Sequence, residues 1–384
     1  MSRTRDLGKI ISGNFDVPAA SLDSVTRSNI SDLGTGALSH RNLIINGAMQ
    51  VETRGAYTIS TTGSPEYGGP DRFHVWSYTS GEEVTAEISK STAGGTPTGF
   101  ANTYRFDVLT AESSVASAEA VVVAQYIEAQ NCQHLEYGTS DAKSVTLSFW
   151  IKTSVTGTYC FFLQNSDGDR IQVKEYTVNT ADTWEKKIIT ISGDASGTIN
   201  NDNGRGLWCG WVLMAGTDRH GSKDTWRTTG EDYATSSQVN ALNNTANNIY
   251  FTGIQLEVGD TATPFEHRSY GDELAKCQRY YYSFKTDTQN GLLLCHQDRN
   301  TDTYIGQVVM PTEMRVAPTV THTGMDRVHK PGVRYDTVSA GPAFSFIHTQ
   351  AITFTFTTTN SDATSQTVYF GASAGGTINI HAEL

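Results

Sequence analysis

The chain has 384 residues, room for about two or three domains, each with its own core. A net charge of -12, with no basic run interleaved with aromatics, excludes duplex DNA and an anionic membrane as main partners, because both require clustered Lys and Arg. Charged residues at 18%, against roughly 25% in ordinary globular chains, and aromatics at 10% favour pleated, half-buried surfaces and exclude a wholly disordered chain.

Residues 1–40 are polar and lack aromatics after Phe15. Their apolar positions, Leu22, Val25, Ile30 and Leu33, are too sparse for a heptad. Such a segment either stays mobile or orders against copies of itself or another protein. It leads into no apolar signal core, and no stretch approaches membrane-spanning length, so no membrane insertion is expected. Cys132, Cys160, Cys209, Cys277 and Cys295 are far apart and form no CxxC pair, which fits synthesis in a reducing cytoplasm rather than a disulfide framework or a zinc site.

From residue 41 to 268 the pattern is strands and turns. Val145, Leu147, Phe149 and Ile151 alternate onto one face. Residues 159–163 run into a turn centred on Asp167-Gly168. Residues 184–191 and 249–258 are further strands, closed by Gly193-Asp194 and Gly259-Asp260. Residues 111–130 suit either a helix or a strand. Many short strands without intervening helices predict an antiparallel sandwich. The spacing then predicts a helix opening at Ser269, an N-cap with Asp272 three residues on. From residue 280 to 384 strands return, most clearly where Ile352, Phe354 and Phe356 alternate with threonines. In Tyr280-Tyr281-Tyr282-Ser283-Phe284, period two puts Tyr280, Tyr282 and Phe284 on one face, for packing or for ligand contact.

Several patterns bear on chemistry. Residues 371–375 match GxSxG formally, but residues 376–384 offer only His381 and Glu383 as triad partners, so a glycine-rich turn is expected. Asp167-Gly168-Asp169 and residues 200–204 are oxygen-rich and read as turns or, less simply, as a loop over a structural ion. The histidines form no HxH or HExxH pair, so neither a metal site nor a cofactor is expected. Glu82 and Glu83 would point to opposite faces of a strand and make a poor carboxylate dyad for glycoside hydrolysis. Trp208 and Trp211, three apart, would face opposite sides of a strand. Trp226 follows in a polar loop with Arg219, His220 and Arg227. These six residues form a candidate sugar platform; the alternative is that one indole is core and another caps a loop.

Residues 41–51 (RNLIINGAMQV), 69–73 (GPDRF), 253–259 (GIQLEVG), 263–274 (TPFEHRSYGDEL), 277–281 (CQRYY) and 311–320 (PTEMRVAPTV) resemble segments of a family of tailed-phage structural proteins common in phages of marine bacteria. The resemblance covers about residues 41–384. The middle region, through FWIK at 149–152, WEK at 184–186 and IQLE at 254–257, is similar to carbohydrate-binding modules with a jelly-roll fold. Together these resemblances imply an all-β protein: a virion-attachment or oligomerisation segment (1–40), a jelly-roll module (41–268) and a smaller C-terminal β domain opened by a short helix (269–384). They imply a homotrimeric virion fibre, released by lysis, that binds host cell-surface glycan without catalysis and joins other tail or capsid proteins through its N-terminal segment. A capsid- or tail-decorating spacer without ligand, and a polysaccharide depolymerase, are the alternatives.

Overall fold

The structure, a computed structural model, describes residues 40–59, 63–79, 84–228, 230–286, 293–297, 302–325, 327–330, 333–358, 367–371 and 376–384. The expectations for residues 1–39, for Glu82 and Glu83, and for 372–375 lie outside the described residues. The chain divides into two units, Met1–Arg41 and Asn42–Leu384, and the elements below belong to the second.

The first set of strands is β1 (Tyr57–Ile59), β2 (Glu66–Tyr67), β3 (His74–Tyr78), β4 (Thr85–Ser91), β5 (Thr103–Thr110), β6 (Ala120–Glu128), β7 (Val145–Thr153), β8 (Gly157–Asn165), β9 (Arg170–Val178), β10 (Glu185–Ile191), β11 (Arg205–Ala215), β12 (Arg227–Thr228) and β13 (Asn248–Val258). They form two antiparallel sheets, ordered β1-β4-β5-β13-β7-β10 and β12-β9-β8-β11-β6-β3-β2. This is a jelly-roll sandwich. Its core lies between the sheets, where Val145, Leu147, Phe149 and Ile151 of β7 meet Phe161, Trp211 and Phe251. The ambiguous stretch 111–130 contains β6, whose nine residues are all buried because both its faces are covered.

Beyond the sandwich, α1 (Tyr270–Gln278) starts at Ser269, whose hydroxyl accepts from the Asp272 amide at 3.2 Å. It leads to β14 (Tyr281–Thr286), β15 (Leu293–Gln297), β16 (Thr303–Val309), β17 (Thr319–Thr323), β18 (Arg327–Lys330), β19 (Val333–Ser345), β20 (Ala351–Thr358), β21 (Thr367–Gly371) and β22 (Gly376–His381). A three-stranded sheet, β14-β22-β17, accompanies a closed barrel, β15-β16-β20-β19-β18-β21. Alternation in β20 sends Ile352, Phe354 and Phe356 into a second core. Tyr282 and Phe284 pack on that core, whereas Tyr281 lies beside His381 with its ring under the Arg54 guanidinium at 3.7 Å.

Segments 42–51, 253–257 and 266–273 meet in one buried polar clasp. Asn42 donates to the Ile254 carbonyl and accepts from the Ile44 and Leu256 amides, each at 3.0 Å. Gly47 passes so close to β13 that a Cβ there would fall 2.1 Å from the Ile254 oxygen. Asn46, in the left-handed region at φ 62°, donates from its backbone to Glu273 of α1. Arg268 pairs with Glu266 and Glu273 and donates to the Ile44 and Asn42 carbonyls. These segments are thus the joint that holds the sandwich to α1.

Candidate functional site

The seven-stranded sheet has two differently built faces, and β11 shows why. Its inward residues Leu207, Cys209, Trp211 and Leu213 enter the sandwich core. Its outward residues are Trp208, Gly210 and Val212. Gly210 leaves room for the Phe162 ring, which a Cβ would meet at 2.3 Å. Around that ring an outer aromatic cluster assembles. Trp208 meets Phe162 edge-on at 4.9 Å, Trp76 of β3 at 6.0 Å and Tyr233 at 5.5 Å. Trp76 in turn meets Tyr233 at 5.3 Å. These spacings are those of favourable edge-to-face ring contacts.

Two guanidinium groups flank the cluster. Arg219 lies 5.9 Å from the Trp76 ring centre and 5.3 Å from that of Tyr78, while it donates to the Ala118 carbonyl and pairs with Glu231. Arg205 lies 4.9 Å from the Tyr126 ring and 5.6 Å from Trp208. Burial raises the Tyr126 and Tyr233 phenols, Tyr233 to about 12, so both stay protonated donors near neutral pH. Trp208 and Tyr233 are buried, Trp76 is half-buried, Arg205 is exposed, and Tyr78 is 42% exposed. The Trp208 indole N–H finds no hydrogen-bond acceptor among the described residues. A ligand on this face would therefore meet Trp76, Tyr78 and Arg205 first.

Of the six residues read from sequence, the structure brings Trp208 and Arg219 together here. Trp211 is fully enclosed in the sandwich core against Phe73, Phe149, Phe161 and Phe251, so its indole offers no platform. Trp226 belongs to a different cluster: its indole donates to the Ser192 carbonyl at 2.6 Å and meets Tyr137 edge-on at 5.8 Å. Arg227 pairs with Asp232 at 2.7 Å, and His220 approaches the Ala215 carbonyl at 3.2 Å, so both hold the loop that carries them. Sequence reasoning missed Trp76, Tyr78, Tyr233 and Arg205. The signal for two of them was present, because His74, Trp76 and Tyr78 alternate along β3.

The oxygen-rich loops are consumed by protein groups. Asp167 accepts from the Asn200 amide and side chain, each at 3.0 Å, so the two loops bind each other. Buried Asp194 accepts from Arg170 at 2.8 Å and from Asn165 at 3.3 Å. Among the described residues no group of three or more His, Cys, Asp or Glu is placed to hold a metal ion. No helix among them is long and apolar enough to cross a membrane.

No protein-family model and no curated protein matches this chain. Solved structures with a similar strand arrangement include the enzymatically active domain of tailspike protein 4 from bacteriophage CBA120, at 10% identity and TM-score 0.30, covering 57% of this chain and 21% of the tailspike. A family 11 carbohydrate-binding module of a Clostridium thermocellum cellulosomal cellulase is 13% identical at TM-score 0.28, covering 53% of this chain and 97% of the module. The xylan-binding domain of carbohydrate-binding module family 22 is 14% identical at TM-score 0.26, covering 55% and 99%. What each of these proteins binds or cleaves is a property of that protein.

Proposed function

We propose that the protein is a phage virion fibre component that attaches the particle to host cell-surface glycan without catalysis, and that the outer aromatic face of the jelly roll is its glycan site. The observation that carries this reading is the half-buried Trp76 indole, held rigid by Trp208 and Tyr233 and flanked by Arg219, with exposed Arg205 and Tyr78 in the same cluster. A sugar ring can lay its C–H face on such an indole while guanidinium and phenol groups hold its hydroxyls. The virion assignment is supported by the family resemblance of segments 41–51, 253–259 and 263–274. Weak single sites suffice in this role, because many copies on one particle raise the effective concentration.

The test is a glycan array probed with the labelled chain, with Trp76→Ala and with Trp226→Ala. Wild type should bind a restricted set of glycans, Trp76→Ala should lose at least about tenfold in affinity, equivalent to about 1.4 kcal/mol, and Trp226→Ala should bind normally. Binding unchanged in Trp76→Ala would remove the site from this face. A folded wild type that binds neither glycans nor host cells would leave a structural spacer, and release of sugar fragments from a bound polysaccharide would make the protein a depolymerase.

A further inference from the structure

A cleft of about 630 Å³ opens where the sandwich meets α1 and the segment after β16. That volume is within the roughly 300–1,000 Å³ of small-molecule sites. Its polar walls carry Gln130, Asn131, Lys276, Arg279 and Arg315. The lining carries three cations, Lys276, Arg279 and Arg315, and one acid, Glu313. Arg279 is spoken for: Glu128, wholly buried, takes it through two bonds at 2.8 and 2.9 Å and also accepts from Gln130. Arg315 has no such carboxylate partner among the described residues. Its three nitrogens each donate to a carbonyl, those of Ala382, Glu383 and Asn203, at 2.7 to 2.9 Å, which holds the guanidinium in place without an ion pair, while Glu128 and Glu383 act on its charge from farther away.

Lys276 makes no ion pair at salt-bridge distance among the described residues, although Glu273 on the same helix pairs with Arg268, which precedes it. Partial burial and the nearby Arg268 hold its ammonium below the usual lysine range, against the opposing pull of Glu273, Glu266 and Asp272. The exposed acid of the cleft, Glu313, accepts from the Thr349 hydroxyl at 3.1 Å. Two cations therefore line the cleft without an ion pair at salt-bridge distance among the described residues, in a chain whose net charge is -12. Amides on the same wall can hydrogen-bond hydroxyls, which a site for a bare inorganic anion would not need.

We infer that this cleft binds a carboxylate-bearing sugar, with Lys276 and Arg315 meeting the carboxylate and the side-chain amides of Gln130 and Asn131 meeting hydroxyls. The site shares no residue with the aromatic face and stands independently of it. It is tested by calorimetric titration of the full chain with D-glucuronate, D-glucose and inorganic phosphate at physiological salt, using wild type, Lys276→Gln, Lys276→Arg and Trp76→Ala. Glucuronate should bind at least about tenfold tighter than glucose or phosphate. Lys276→Gln should lose that affinity at unchanged melting temperature, while Lys276→Arg and Trp76→Ala keep it. Equal binding of phosphate would make the cleft a simple anion site and overturn the sugar assignment. Glucuronate binding no tighter than glucose, unchanged by Lys276→Gln, or abolished by Trp76→Ala would overturn the cleft as its location.

Discussion

At the scale of single residues, His74 is the clearest case of chemistry set by surroundings. Its ring lies between Tyr126 at 4.3 Å and Tyr67 at 5.0 Å, and neither ring nitrogen has a hydrogen-bond partner among the described residues. Burial, reinforced by the Arg72 and Arg205 charges, pushes its pKa well below 6.5. The unfolded chain therefore takes up a proton below about pH 6.5 that the folded chain refuses, and stability falls as pH drops through that window. One proton limits the slope to about 1.4 kcal/mol per pH unit. His74→Phe keeps the ring and removes the titration, so its melting temperature should fall less between pH 7 and 5 than that of wild type. Parallel falls in the two proteins would assign the acid sensitivity to another group. The tryptophans teach a related lesson about sequence. Trp208 and Trp211 were legible as facing opposite ways, but which face was core depended on the second sheet, and no local pattern encodes that.

At the scale of elements, the opening segment 42–47 acts as an extra partner for β13. Leu43 donates to Leu256 and Ile254 donates to Gly47, each at 2.9 Å, while the Asn42 side chain satisfies three buried backbone groups. Asn42→Ala would orphan the Ile44 and Leu256 amides and the Ile254 carbonyl. Each such orphan costs about 1–3 kcal/mol, so a loss of about 3 kcal/mol is expected from denaturant midpoints at constant slope. A deficit below about 1 kcal/mol for Asn42→Ala would mean that water replaces the side chain. The strands that were plain in the sequence, β7 and β20 above all, have one face in a core and alternate accordingly. Strand β6 stayed ambiguous because it is covered on both faces, by the sandwich core and by the outer cluster around Trp208, so its sequence carries no period to read.

At the scale of the whole second unit, the sandwich and the C-terminal strands are locked by charges from positions more than 300 residues apart, which explains why no sequence pattern announced the joint. Arg72, wholly buried, pairs with Glu383, donates to the Tyr126 carbonyl at 2.9 Å and stacks on the Tyr280 ring at 3.4 Å. Arg54 pairs with the same Glu383 at 3.0 Å and covers Tyr281. Glu383 thus answers both enclosed guanidinium groups, and among the described residues Arg54 alone has a second carboxylate, Asp71 at 4.0 Å. Removing the Glu383 carboxylate leaves a buried cation without its counter-charge, a change that typically costs about 3–5 kcal/mol. Glu383→Gln should therefore lower the calorimetric transition markedly. Replacing both charges, as in Arg72→Met with Glu383→Gln, should recover part of that loss, because the desolvated ion no longer needs compensation. If the double variant is less stable than the two single losses added together, the pair is not coupled in this way and the aromatic stacking of Arg72 carries the joint. If Glu383→Gln alone melts like wild type, the sandwich and the C-terminal strands hold together through Arg279–Glu128 and the Arg315 carbonyl contacts instead.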